Sequence, residues 1–277
     1  MEAYRFSLTL LSSLLYLSYV INEVSSLEGD NVKPVQKNKY PFIVAIAHKP
    51  EYRPPHELTH FCGGTLISKR HVLTATHCLE NEKYNQLQVL AKLSDDNWRD
   101  REIFEIDSSC TYSSWLSHNN IPEEVFVDTA LLKLKVEDTR ITPAPYSKLK
   151  IYEALLPQSV TLIGFDVSNV GADIPKLVEA PSKILKGADC LQKMRTFSPD
   201  YEEFETFDGI ICTKTKPWVL ISSGDSGGPL LTGNGIVLGV NFATCPSNDL
   251  CPPKSKVVNA AARVIHFTEF IESMIDS

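Results

Sequence analysis

Gly224-Asp225-Ser226-Gly227-Gly228-Pro229-Leu230 sets a serine between an acid and paired glycines, just beyond the apolar run Trp218 to Ile221. A serine hydroxyl is a weak nucleophile, so it needs a neighbouring base and donors aimed at the charge its attack creates. Glycine at 224 lets the backbone turn an N–H towards a ligand with no side chain in the way. The N–H groups of Gly224 and Ser226 are therefore candidate oxyanion donors. An ordinary Gly-Asp-Ser turn leading into an edge strand has the same letters. What separates the two readings is a base and a group to orient it. Thr74-Ala75-Thr76-His77-Cys78 supplies a histidine, and Asp128-Thr129-Ala130-Leu131-Leu132-Lys133-Leu134 supplies a carboxylate at the head of an apolar strand.

The order His77, Asp128, Ser226 is that of the chymotrypsin class and not of subtilisins or α/β-hydrolases. Together with Phe61-Cys62-Gly63-Gly64-Thr65-Leu66-Ile67-Ser68 ahead of the histidine, these motifs make the chain resemble the trypsin/chymotrypsin family of secreted serine endopeptidases, from about Tyr40 to the C-terminus. The resemblance implies that Ser226 attacks the scissile carbonyl, His77 takes its proton, Asp128 orients the imidazole, and Gly224 and Ser226 form the oxyanion hole. It implies no cofactor, polypeptide substrates, proteinaceous protease inhibitors as partners, and a monomer. It also implies an exposed apolar N-terminus whose ammonium pairs with Asp225. Leu27 is the candidate, in a degenerate segment, Leu27-Glu28-Gly29-Asp30-Asn31-Val32, preceded by serines and not by Arg or Lys. Two readings of that segment stay open: signal cleavage itself exposes Leu27, or Asp225 lacks its partner.

The positioning elements are short runs of apolar residues separated by turn signals. Tyr40 to Ile46, Cys62 to Ile67, His71 to Leu73, Leu87 to Leu93, Ala130 to Leu134, Val160 to Phe165, Gly209 to Cys212, Gly235 to Val240 and Ser255 to Val258 read as strands. This spacing suggests an all-β sandwich or barrel. The family resemblance narrows it to two antiparallel six-stranded β-barrels with a C-terminal α-helix. Residues 27–147 then carry His77 and Asp128, and residues 148–277 carry Ser226, with Lys148 to Pro157 as the crossing. Pro50 to Pro55 and Trp115 to Pro122 read as surface loops. Phe267, Phe270, Ile271 and Met274 recur at helical spacing and predict the closing helix.

Ahead of these, Arg5, the apolar run Phe6 to Val20 and the small residues ending at Ser26 read as a signal peptide over residues 1–26. The run is shorter than the ~20 residues that span a bilayer, which predicts a secreted, extracellular protein with no membrane anchor. A mature chain of about 250 residues suits a single α/β domain or a pair of barrels. The net charge of −7, spread along the chain, gives no basis for nucleic-acid or membrane-surface binding.

Seven cysteines in a secreted chain predict disulfides. The resemblance pairs Cys62 with Cys78 and Cys190 with Cys212, and leaves Cys110, Cys245 and Cys251 unassigned. No Cys-X2–4-Cys pair with a matching second half is present, so no zinc site is expected. The chain also departs from the family. Ser222 stands where a cysteine normally precedes the nucleophile, and Val240-Asn241-Phe242-Ala243 lacks the serine of the substrate-pairing strand. By position, the pocket base is Leu220, with Ile221, Asn241 and Phe242 beside it. An apolar base leaves a buried cation without a partner, which favours cleavage after apolar residues, as in chymotrypsin or elastase. The competing reading is a secreted homologue with little or no turnover that acts as a binding or regulatory protein.

Overall fold

The computed structural model describes residues 27–52, 60–93, 101–122, 128–137, 140–156, 158–166, 176–195, 209–243 and 258–276. Two short strands, β1 (Glu28–Gly29) and β2 (Lys33–Pro34), precede the first barrel. That barrel consists of β3 (Ile43–His48), β4 (His60–Leu66), β5 (His71–Thr74), β6 (Leu87–Ala91), β7 (Glu102–Thr111) and β8 (Ala130–Leu134), closed in the order β3-β4-β5-β8-β7-β6. All of β3 and β6 is buried, including the polar residues His48 and Gln88. Closure leaves no strand edge unpaired, which is how a sheet of such apolar strands avoids pairing with other chains.

The second barrel takes β9 (Ser159–Asp166), β10 (Lys176–Ile184), β11 (Ile210–Lys214), β13 (Pro229–Thr232), β14 (Val237–Ala243) and β15 (Asn259–Arg263). Its order is β11-β15-β14-β13-β9-β10, and pairing of β10 with β11 closes it. A further two-residue strand, β12 (Val219–Leu220), pairs with β1. The result is the all-β architecture expected: two six-stranded antiparallel barrels and a terminal helix, α3 (Thr268–Ile275).

The split of the sequence at Lys148 is not how the two ends of the chain pack. The N-terminal segment lies on the second barrel: β1 on β12, β2 on β10, and the Val35 N–H on the Leu177 carbonyl at 3.0 Å. Lys39 fixes it there by donating to both oxygens of the buried Glu179 carboxylate, at 2.9 and 2.7 Å. The C-terminal helix lies on the first barrel. Phe270 packs 5.6 Å from Tyr112 and 5.7 Å from Trp115, and Phe267 packs 5.0 Å from Tyr112. Each terminus straps the half it does not belong to by sequence, which resists separation of the barrels.

Trp115 to Pro122, expected as a loop, begins inside a helix, α1 (Tyr112–His118), whose Thr111 cap accepts from the Ser114 N–H at 3.2 Å. The apolar face that Tyr112 and Trp115 offer to α3 is what orders it. A second helix, α2 (Gly187–Arg195), buries Cys190 and Met194 against β11. The strand expected at Ser255 to Val258 lies largely outside the described residues; β15 begins at Asn259. Cys110 is a free, half-buried thiol, and Cys245 and Cys251 lie outside the described residues. None of the described helices is long and apolar enough to cross a membrane.

Candidate active site

His77 follows β5 on a turn closed by the Leu79 N–H to the Thr76 carbonyl, 2.8 Å. The Cys62–Cys78 disulfide ties that turn to β4 across 16 residues. Closing a loop of that size is worth about 3 kcal/mol. Asp128 stands at the mouth of β8, next to β5 in the barrel, so the register of two neighbouring strands brings histidine and acid together. Its carboxylate reaches His77 twice: Oδ1 accepts from the backbone N–H at 2.9 Å and Oδ2 pairs with the ring Nδ1 at 2.6 Å. Thr76 adds a hydroxyl donation to the Thr129 carbonyl at 2.9 Å. Asp128 is 6% exposed and the His77 side chain 38%. Acid inside and imidazole at the surface is the arrangement that leaves Nε2 open to a substrate.

Burial works against a charge on His77, but the Asp128 hydrogen bond and charge, with Glu80 beyond, outweigh it and raise the ring above its ordinary pKa. Cys62, Cys78 and His77 crowd together like a metal cluster, but the two sulfurs are joined to each other and offer no thiolate pair.

Ser226 arrives from the other barrel, on the turn between β12 and β13. The seam joining it to the histidine side is tight. Its carbonyl accepts from the Gly63 N–H at 2.7 Å, and the Gly63 carbonyl accepts from the Thr74 hydroxyl at 2.9 Å. Gly227 has φ +80, and a Cβ there would lie 2.2 Å from the Thr74 Oγ1 and 2.4 Å from the Gly63 oxygen. Only glycine fits, so the glycine after the nucleophile candidate is what lets the serine turn dock three residues from His77. His60 stacks on Phe165 at 4.3 Å across the same seam. Burial lowers its ring pKa to about 4, so it stays neutral.

Within the turn, backbone N–H groups divide into used and unused. Asp225 donates to the Ser222 carbonyl, Gly227 to that of Asn241 and Gly228 to that of Asp225. Among the described residues, the N–H groups of Gly224 and Ser226 have no acceptor. Gly224 has φ +95, which turns that amide out of the chain's ordinary direction.

Asp225 is fully buried, accepting from the Phe165 and Ser222 N–H groups at 2.8 Å each. Burial first, with Glu28 adding to it, raises its pKa to about 8 despite those two donors. Gly164 marks its neighbour: a Cβ there would meet the Asp225 Oδ1 at 2.5 Å and the Leu27 Cβ at 2.6 Å. Leu27 and Asp225, paired in the sequence reading, thus converge on one glycine.

The four expected pocket residues divide. Leu220 and Phe242 are half-buried. Ile221, just past β12, is buried in the apolar cluster that also holds Leu27, Val219 and Leu238. Asn241 is fully buried, with its Nδ2 directed at the Pro229 carbonyl at 3.4 Å behind the serine turn. Sequence reading missed Asn259, whose buried side chain bonds on either side of Leu220. A polar asparagine between Val258 and an alanine run was the available signal. Cys190–Cys212 forms as the resemblance implied, tying α2 to β11.

Comparison with known proteins agrees with this fold. A family model for trypsin matches residues 30–271. Chymotrypsin-2 of Vespa crabro is 28% identical over 206 residues, covering 74% of this chain and 83% of that protein. Brachyurin of Leptuca pugilator is 27% identical over 220 residues, 77% and 87% respectively. The venom serine protease Bi-VSP of Bombus ignitus is 27% identical over 72% of this chain, which spans 55% of that protein's length. In fold, the chain superposes on mouse neuropsin, a serine protease, with TM-score 0.63 at 19% identity, covering 88% of this chain and 98% of neuropsin. The chain belongs to the trypsin family of serine proteases, a family of hydrolases.

Proposed function

We propose that the protein is a secreted serine endopeptidase working through His77, Asp128 and Ser226. The observation that carries this reading is the double contact of the Asp128 carboxylate with His77, on the barrel whose Gly63 and Thr74 dock a serine turn with two unused N–H groups. With the Nδ1 proton held by Asp128, Nε2 is the basic nitrogen. It takes the Ser226 proton as Oγ bonds to the scissile carbonyl carbon, and the carbonyl oxygen becomes an oxyanion facing Gly224 and Ser226. The proton then passes to the leaving amine as the C–N bond breaks, and water releases the acyl group by the same steps in reverse. Losing one oxyanion donor costs ~3–4 kcal/mol in such sites.

Leu220 as pocket base favours apolar residues before the scissile bond, since its side chain offers a buried cation no charge. Polypeptides are the substrates and proteinaceous inhibitors the expected antagonists of a monomeric, extracellular enzyme. Asp225 needs an ammonium to ionise fully, and a chain beginning at Leu27 would supply one beside Gly164.

The test is a fluorophosphonate titration of the protein beginning at Leu27, with the adduct located by mass spectrometry, then hydrolysis of peptide amides. Stoichiometric adduct at Ser226, lost in Ser226→Ala, with leucyl or phenylalanyl amides cleaved faster than arginyl ones, is the expected result. A folded protein that takes no label supports instead a binding or regulatory homologue without turnover.

A further inference from the structure

Val219 and Leu220 form a strand with one strand neighbour. On one edge it pairs with β1, Glu28 opposite Leu220 and Gly29 opposite Val219. In an extended strand the N–H and C=O of one residue point to the same edge and successive residues alternate, so with the Val219 carbonyl and Ile221 N–H turned away from β1, the groups of Leu220 face it. No strand meets the Val219 carbonyl or the Ile221 N–H among the described residues. One side chain does. Asn259 donates from Nδ2 to the Val219 carbonyl at 2.8 Å and accepts at Oδ1 from the Ile221 N–H at 2.9 Å.

We propose that Asn259 is a positioning residue that sets the pocket floor, its amide supplying the N–H and C=O that a missing neighbour strand would offer and fixing Leu220 from the second edge. This rests on the protease reading above.

The chemistry of the side chain is specific. A primary amide sets an NH2 donor and a carbonyl acceptor side by side, whereas aspartate only accepts and serine offers one hydroxyl. Asn259 is 2% exposed, so water does not compete for either bond. Its own backbone is held in β15, between β11 and β14, opposite Thr213. The amide therefore transmits the position of a central barrel strand to a two-residue edge strand.

Ile221 is followed at once by Ser222, whose N–H bonds to Asp225, and then by the turn bearing Gly224 and Ser226. Neither disulfide among the described residues includes this stretch. The clamp thus holds both the Leu220 floor and the root of the serine turn, and the floor depends on it most directly, because Asp225 holds the turn independently through Phe165.

The experiment compares wild type and Asn259→Ala on peptide amides with Ala, Leu or Phe before the scissile bond, and on a small fluorophosphonate that places no side chain in the pocket. The expected outcome is a loss of kcat/KM of roughly 30-fold for the Leu and Phe substrates, as for two lost buried hydrogen bonds, carried mainly by KM. The fluorophosphonate rate falls far less, and the spread among the three substrates narrows. An equal fall for probe and all substrates, or an unchanged profile, overturns the proposal. Should Asn259→Ala fail to fold, NMR of the wild type decides: solvent exchange of the Asn259 side-chain NH2 at the rate of a free amide refutes the clamp, and exchange slowed ~100-fold or more supports it. Wild type that takes no label at Ser226 refutes the protease reading and the specificity role together, whereas labelled wild type with an unchanged Asn259→Ala profile refutes the role of Asn259 alone.

Discussion

Asp225 gives the sharpest quantitative expectation. With Leu27 still amide-linked to a preceding residue, its carboxyl is fully buried with two backbone donors, and its pKa stands at about 8 against 3.8 in an unstructured chain. Between those values the folded protein holds a proton that the unfolded chain has released. For an acid raised in this way, the stability present below the unfolded pKa is lost as pH rises towards the folded one. The slope is about 1.4 kcal/mol per pH unit for one proton, so a change from pH 5 to pH 7 costs up to about 3 kcal/mol. Guanidinium denaturation at pH 5, 6 and 7 measures it, on a chain beginning at Ser26 and on one beginning at Leu27. The Ser26 chain should lose stability along that slope. In the Leu27 chain the new ammonium pairs with the carboxylate, the ionised form becomes the favoured one, and the slope flattens or reverses. Asp225→Asn in the Ser26 chain, with nothing to titrate there, should remove the slope whatever its effect on absolute stability. Equal slopes in the Ser26 chain and its Asp225→Asn variant would refute the reasoning.

Other expectations follow from single contacts. Asp128→Asn removes the acceptor that fixes the His77 tautomer and should lower kcat by roughly 10⁴-fold, the usual scale for this triad, with thermal stability read in parallel. Because Asp128 and Glu80 hold the His77 pKa above its ordinary 6.5, kcat/KM should rise through a pH midpoint above that value, and a midpoint below it contradicts the assignment. Gly227→Ala drives a methyl into Thr74 and Gly63 at a left-handed φ. It should cost roughly 2–4 kcal/mol in denaturant unfolding and abolish labelling of Ser226. Leu220→Asp should shift preference from leucyl towards arginyl amides, and an unchanged ranking would remove Leu220 from the pocket base.

The candidate site was legible because it sits in contiguous words. A nucleophile turn needs glycines next to its serine, and an acid opening an apolar strand stands out, so His77, Asp128 and Ser226 could be singled out as candidates without coordinates. The closing helix was legible for the same reason, since one face of it is written within eight residues. What was not legible depends on partners far away in sequence. Nothing near Ile221 says that its strand edge is completed by an amide 38 residues later, and only that contact gives Asn259 a role. Alternation alone could have placed Ile221 inward once Leu220 was taken as the pocket base, because neighbours on a strand cannot share a face. The exchange of termini has a similar cause. Lys39 and Glu179 are 140 residues apart, and each looks like a solvated surface charge until Glu179 is seen buried with Lys39 across it. Local motifs thus identify what the site can do, while the long-range polar contacts hold its floor and its N-terminal strap in place. The proposed pocket floor therefore depends on a residue that the motifs do not contain.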